Sequence, residues 1–349
     1  MAKRVTIKDI ASKLNVSYGI INKALNNKSG ISDEMREKIL ATADELGYRV
    51  NKVAQSMARA PIVIGVIIPE AWQEYYSYLR KGIDKEFDRL LDYNVQNQYY
   101  VIKNAHSAQD TIKALRQCIE DEVHAVILCD VHPVGLEKVV EDLEKKEIPI
   151  ALVGDALTLD TKKLCSVLVD AYRSGKIAAE MLHYMTYDDA DVIIFVGNKD
   201  NSEHKLKIQG FVDGAKEYNL NLVGVYETND DEVVAAQLLK KIISECDMLH
   251  GIYSATSNSI SLCKMIDENG YNTKIISTDI NENIAKYIKK GIIQCSIFQD
   301  LEKHGRTVVR SVYEYLTEHK IPEKNIYISP QIILKSNIDT FYTSKEDNN

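Results

Sequence analysis

Beyond residue 61 the chain changes its period. Short apolar runs alternate with amphipathic stretches, and the series runs through once and then starts again. The first set of runs falls at 62–68, 99–102, 125–129, 150–153 and 167–169, with helical spacing at 77–91, 108–121 and 135–146 between them. The second set falls at 192–196, 222–226, 251–254, 274–278 and 292–297. A strand, a helix and a strand in succession call for a parallel pair, since a tight turn cannot return the chain in the same direction. Strands that are apolar throughout need helices on both sheet faces. Residues 62–340 are therefore expected to form an α/β body of two lobes, each built on a parallel sheet. A ligand would sit beyond the carboxyl ends of the strands, where the lobes face each other.

The first sixty residues follow a different pattern and carry a different charge. They hold eleven Lys/Arg against six Asp/Glu, a net +5, which leaves 32 basic and 45 acidic residues, or −13, for the remainder. A basic head on an acidic body points to a polyanionic partner for the head. Thr6 and Asp9 have capping-box spacing, so a first helix is predicted over 7–14. Asn15 tolerates the left-handed backbone of a very tight turn, and Ser17 can cap a second helix that runs through Leu25 to Asn26 and Asn27. Ser32 caps a third, closed by Gly47. The apolar residues Ile10, Leu14, Val16, Ile21, Leu25, Ile39, Ala43 and Leu46 then share one small core. Ser17, Tyr18, Gly19, Asn22 and Lys23 are left facing outward at the start of the second helix, where a helix-turn-helix reads the major groove. Thr6, Ser32 and the surrounding lysines suit phosphates. The head is assigned 1–50; residues 51–61, with few acids, a helical tendency and a stop at Pro61, are a hinge and linker. Residues 341–349 are a polar tail.

Several functions are disfavoured by what the sequence lacks. No GxGxxG, Walker loop, HExxH or GxSxG occurs, and Ser202-Glu203-His204-Lys205 spells SxxK without the segments that accompany it in acyl-transfer enzymes. The six cysteines are scattered, with no pair or histidine at metal-ligand spacing, which suits reduced thiols in a cytoplasmic protein. No apolar run is long enough to span a membrane, and Met1 to Asn15 does not read as a secretion signal. No enzyme activity, cofactor, metal or membrane partner is expected.

The strings Val5-Thr6-Ile7-Lys8-Asp9-Ile10-Ala11, Val16-Ser17, Lys23-Ala24-Leu25-Asn26, Arg36-Glu37-Lys38 and Glu45-Leu46-Gly47-Tyr48-Arg49 resemble the lactose-repressor family of bacterial transcription regulators, almost without gaps across the head. The resemblance implies DNA contacts from Thr6, Ser17, Tyr18, Gly19, Asn22, Lys23, Asn26, Ser32 and Tyr48. It further implies a hinge helix that forms on operator DNA, with Gln55, Met57 and Ala58 at the DNA and Met57 where the family wedges an apolar side chain into the minor groove. The chain departs from the family pattern at Asn15, Ile20, Asn22, Lys23 and Val50. A lysine at 23 lacks the planar fork that reads guanine bidentately, and Gly19 offers no side chain, so an atypical operator is expected.

The body resembles the sugar-binding effector domain of the same family, through Ile64-Gly65-Val66-Ile67-Ile68-Pro69, Gly82-Ile83, Gly210-Phe211, Ser277-Thr278-Asp279, Gln299-Asp300 and Gly305. That implies a hydroxyl-accepting carboxylate at Asp279 and an anchoring cation at Lys207. Glu70, Trp72, Asp130 and Gln299, after strands or at a lobe crossing, complete the candidate ligand set; Trp72 is equally suited to stacking on a sugar and to core packing. The standard polar landmark around Ala255-Thr256-Ser257 is absent, which argues against an ordinary hexose or purine. The expected protein is a homodimer that binds a near-palindromic operator and is gated by a sugar-like ligand between the lobes. The alternative is a cytoplasmic sugar enzyme or sensor whose head serves oligomerisation; the outward polar face argues against it.

Overall fold

The computed structural model describes residues 5–25, 28–48, 60–70, 73–103, 107–129, 135–154, 163–246, 248–256 and 259–342. The chain separates into two units, Met1–Pro61 with Asp92–Asn94 and Ile62–Leu91 with Val95–Asn349.

The head contains α1 (Ile7–Leu14), α2 (Tyr18–Leu25) and α3 (Asp33–Glu45). The Asp9 carboxylate reaches back to the Thr6 amide and hydroxyl, both at 2.7 Å, and starts α1. Asn15 ends it in the left-handed region, φ 53°, which leaves two residues before α2. The Ser32 hydroxyl accepts from the Met35 amide at the start of α3. Ile10, Ala11, Ile21, Ala24, Ile39 and Ala43 are buried together, and Leu14, Val16, Leu25, Leu46 and Tyr48 pack around them. This is the core that the helical spacing specifies.

The body has two sheets. Lobe A contains β1 (Ile62–Pro69), α4 (Gln73–Leu90), β2 (Val95–Ile102), α5 (Ala108–Glu120), β3 (Ala125–Cys129), α6 (Glu137–Lys145), β4 (Ile150–Val153) and β5 (Cys165–Val169). Lobe B contains α7 (Ala171–Met185), β6 (Asp191–Val196), α8 (Ser202–Glu217), β7 (Asn221–Glu227), α9 (Glu232–Glu245), β8 (Gly251–Ser254), α10 (Ile260–Asn269), β9 (Lys274–Thr278), α11 (Glu282–Lys290) and β10 (Ile293–Phe298). The chain then returns to lobe A for α12 (Leu301–Glu318) and β11 (Asn325–Ile328), and to lobe B for β12 (Gln331–Ile333) and α13 (Ile338–Phe341).

Sheet order is β11-β5-β4-β3-β1-β2 in lobe A and β12-β10-β9-β8-β6-β7 in lobe B. Every pairing is parallel except β10 with β12. β3, β4 and β8 are buried along their whole length, as central parallel strands must be. β2 begins at Val95, four residues before the predicted run, because it is an edge strand whose Gln96, Asn97 and Gln98 face water and hide its period. β11 and β12, which sequence reading missed, are four and three residues long. The chain crosses between lobes after β5, after β10 and after β11. All three crossings leave carboxyl ends of strands, so the carboxyl edges of both sheets meet at one junction.

Glycines set how closely two helix pairs approach. A Cβ at Gly82 of α4 would lie 2.0 Å from the Glu302 carbonyl oxygen of α12, and one at Gly210 of α8 would lie 1.9 Å from that of Tyr172 in α7. In the same α7–α8 contact, a Cβ at Gly175 would meet the Lys207 carbonyl oxygen at 2.1 Å. Gly210→Ala should therefore overpack this contact and destabilise the body by about 1–3 kcal/mol. Gly19→Ala, where the nearest neighbour would be 3.9 Å away, should leave the head as stable as before. Urea midpoints check both; an unchanged midpoint for Gly210→Ala would mean that α7 and α8 are not held together at this spacing.

Candidate functional site

Among the described residues, a connected polar cluster of the lobe junction lies at the carboxyl ends of β8, β9 and β10. The Lys207 side chain is 3% exposed and points from α8 into it. Its ammonium lies 2.6 Å from Glu203 Oε1, donates to the Ala255 carbonyl at 3.3 Å, and donates to Gln299 Oε1 at 3.4 Å. Three N–H groups thus meet three acceptors. Burial is the largest single influence on Lys207 and would lower its pKa, but the charge and hydrogen bond of Glu203, together with Tyr253 and Asp279, outweigh it and raise the value above 10.5. For Glu203, burial is the largest single influence and pushes upward, but the charge and hydrogen bond of Lys207, with His204 and His304, together pull harder downward, so the carboxyl stays below 4.5. Its side chain is 35% exposed, so water tempers both effects.

Gln299 passes the chain of contacts on. Its Nε2 donates to Asp279 Oδ2 at 2.6 Å and its backbone amide donates to Asp279 Oδ1 at 3.2 Å. Only one orientation of the amide can accept from Lys207 and donate to Asp279, which fixes it. Asp279 follows β9 in the left-handed region, φ 60°, and its amide continues the sheet by donating to the Ile297 carbonyl at 2.9 Å. Burial raises its carboxyl above the ordinary 3.8, with Lys207 and Gln299 opposing. Each carboxylate oxygen retains a free lone pair for a ligand hydroxyl. Tyr253, stacked on Phe211 with ring centroids 5.5 Å apart, lies under the cluster, and burial pushes its hydroxyl up to about 12.

The structure brings Lys207, Asp279 and Gln299 together from three separate elements. Glu70 is exposed after β1 in lobe A, with its amide donating to the Ile102 carbonyl at 2.8 Å. Trp72 and Asp130 lie outside the described residues. Lys207 was expected to present a cation to the ligand; its donors are instead used inside the protein, because Glu203 stands one helical turn before it. Glu203 was passed over in the sequence as part of a chance SxxK string, although its spacing to Lys207 is that of a helical ion pair. His304 was also missed. It is buried at the lobe crossing, its Nδ1 within 3.0 Å of the Asp300 carbonyl, and burial lowers its pKa below 6.5.

In the head, Tyr18, Gly19, Asn22 and Lys23 are exposed on α2 and Ser17 is exposed just before it, while Ile21 and Ala24 point inward. Tyr18 keeps 56% of its surface in water. The Thr6 and Ser32 hydroxyls serve helix starts, and Tyr48 is half-buried against the core. The Lys23 ammonium lies close to Gly30. Asn26, Gln55, Met57 and Ala58 lie outside the described residues, as do 51–59 of the proposed hinge. Among the described residues no His/Cys/Asp/Glu group could hold a metal ion, and no helix is long and apolar enough to cross a membrane. The six cysteines are free thiols.

Two family descriptions match the chain. Bacterial regulatory proteins of the lacI family match residues 6–51, and the periplasmic binding protein domain matches residues 64–320. Catabolite control protein A of Streptococcus mutans is 24% identical over 347 residues, covering 93% of this chain and 95% of that protein. The HTH-type transcriptional regulator DegA of Bacillus subtilis is 23% identical over 214 residues, 60% of each chain. Among solved structures, GanP, a glucose-galactose binding protein from Geobacillus stearothermophilus, superposes with a TM-score of 0.67 at 20% identity, covering 80% of this chain and 99% of that one. AraP, an arabinose binding protein from the same organism, gives 0.71 at 18%, covering 82% and 100%. At these identities the structures share the fold.

Lys207→Met should leave Glu203, Ala255 and Gln299 without their donor and cost about 2–3 kcal/mol, less than a fully enclosed pair because Glu203 reaches water. The stabilisation is fully present between the ordinary values of 4.5 and 10.5. It fades as acid protonates Glu203 at its lowered value, or as base deprotonates Lys207 at its raised one. Denaturant titration of both proteins across pH measures this; a difference that grew on acidification would contradict the pairing.

Proposed function

We propose, from the premise that this chain belongs to the lacI family of bacterial regulatory proteins and carries the periplasmic binding protein body, that it is a homodimeric repressor of a near-palindromic operator, gated by a sugar or polyol. Residues 1–50 read DNA, 51–61 form the hinge with Met57 as minor-groove wedge, 62–340 bind the ligand, and 341–349 are a tail. The protein acts in the cytoplasm, where its operator lies, and performs no catalysis.

One observation carries this reading. The start of α2 exposes Ser17, Tyr18, Asn22 and Lys23 on a face that its own core leaves unused, and side chains of these types hydrogen-bond base edges in the major groove. Thr6 and Ser32 stand at helix starts, where phosphates are held. A two-fold protein matches two half-sites. In the body, the two Asp279 oxygens, held in place by Gln299, offer paired acceptors suited to vicinal hydroxyls, and the sugars named for GanP and AraP support that ligand class. A ligand that changes the lobe angle would alter the spacing of the two hinges, and operator affinity with it.

Selection from a random duplex pool at physiological salt tests the function. A near-palindrome should be enriched, its affinity should fall steeply as salt rises, and Tyr18→Ala should lower specific affinity by about 1–3 kcal/mol while sparing non-specific binding. Failure to bind duplex DNA at any salt would favour the sensor or enzyme reading. For the ligand, Asp279→Asn keeps the left-handed backbone that Asn tolerates and should abolish the effector response of operator binding. In the wild type, effector affinity should fall on acidification at a pH above the ordinary aspartate value of 3.8, since protonation removes the acceptor. A full response in Asp279→Asn would move the ligand elsewhere.

A further inference from the structure

Three charged side chains meet at the carboxyl ends of β8, β9 and β10, and one of them is a cation. Lys207 is enclosed, with all three donors engaged by Glu203, Ala255 and Gln299. Glu203 keeps 35% of its side chain in water while Lys207 keeps 3%, so the carboxylate is the member of the pair that solvent reaches. An arginine fork could hold one acceptor and still present a free edge; an ammonium with three acceptors cannot. Asp279 adds a second carboxylate. Among the described residues, Tyr253 also faces Lys207, Glu203 and Asp279, and His204 and His304, both with pKa values lowered by burial, face Glu203, with Asp230 beside His204 and Asp300 beside His304.

Two helix starts beside the cluster are already occupied by side chains of the protein. The Asn201 side chain accepts from the Glu203 and His204 amides at 2.9 and 3.1 Å, and the Asp300 carboxylate accepts from the Lys303 amide at 3.0 Å. The first turn of α8, whose dipole would welcome a negative group, already holds Glu203. Across the junction, Glu70 is exposed and the Asp170 carboxylate is paired with Arg173 at 2.8 Å.

We propose that this site rejects anions, with Glu203 as the specificity-determining residue: its ligand is a neutral or amine-bearing polyol, and the phosphate ester of that polyol is excluded. The proposal rests on the reading of the junction as the ligand site. A phosphate here would meet two carboxylates where water is thinned and like charges repel more strongly than in bulk. The buried cation that could have offset them is already neutralised.

Calorimetric titration of the full-length protein tests this with matched probes: glucose, galactose and ribose, their 6- or 5-phosphates, and glucosamine and galactosamine. A neutral sugar should bind, its amino analogue should bind as well or more tightly, and its phosphate should bind at least about tenfold more weakly. Glu203→Gln should narrow that gap severalfold, with a thermal melt to verify folding. A phosphate ester that binds as tightly as its parent overturns the proposal and leaves the ligand reading standing. An unchanged gap in folded Glu203→Gln overturns the role of Glu203. Binding of none of the probes counts against the ligand reading itself and takes the proposal with it. Should Glu203→Gln fail to fold, the wild-type series still decides between rejection and acceptance of anions.

Discussion

A lysine ammonium taken out of water is tolerated only when charge and acceptors meet it there. Lys207 imposes that condition on the body, and much of lobe B around it can be understood as meeting it. Gly175 and Gly210 let α7 and α8 approach until the Lys207 carbonyl touches α7, which seats the side chain inward. Glu203 supplies the counter-charge from the preceding turn, Ala255 an acceptor from the end of β8, and Gln299 a third from the end of β10. Gln299 then turns its other amide edge to Asp279. Glu203, which reaches water, is thereby held by a donor that does not.

The same residue connects the site to the lobe crossings. Gln299 and Asp300 form the link between β10 and α12, and the Asp300 carboxylate also accepts from Gln331 at 3.1 Å, tying the second crossing to the third. His304 holds the Asp300 carbonyl from α12. Asp279 is therefore tied through Gln299 to the segments that any change of lobe angle must bend. A ligand held as proposed at Asp279 would share its hydrogen bonds with the lobe crossings, which is the physical requirement for it to bias one arrangement over another.

Much of this was legible in the sequence, and the reasons are specific. The head was readable because its signals are local: Thr6 with Asp9, the left-handed Asn15 and the Ser32 cap each act within four residues. The central strands were readable because burial on both faces makes them apolar throughout. β2 was partly hidden by its polar edge, and β11 and β12 by their brevity. In the site, Asp279 was visible through the Ser277-Thr278-Asp279 string, and Gln299 through its place before a crossing. The charge balance was not visible, because it depends on Lys207 pointing inward and Glu203 outward, and that is decided by the glycine contact between α7 and α8. A cation expected to greet a ligand proves to be committed to the fold.

One chain links a DNA-reading head to a ligand-binding body, and that linkage has a direct test. Operator affinity should be measured with and without saturating effector, and effector affinity with and without saturating operator. The two ratios should agree and differ from one by about 5- to 150-fold, because coupling between two sites is reciprocal. Ratios of one in both directions, with each ligand binding well alone, would contradict the claim and leave two independent activities on one chain.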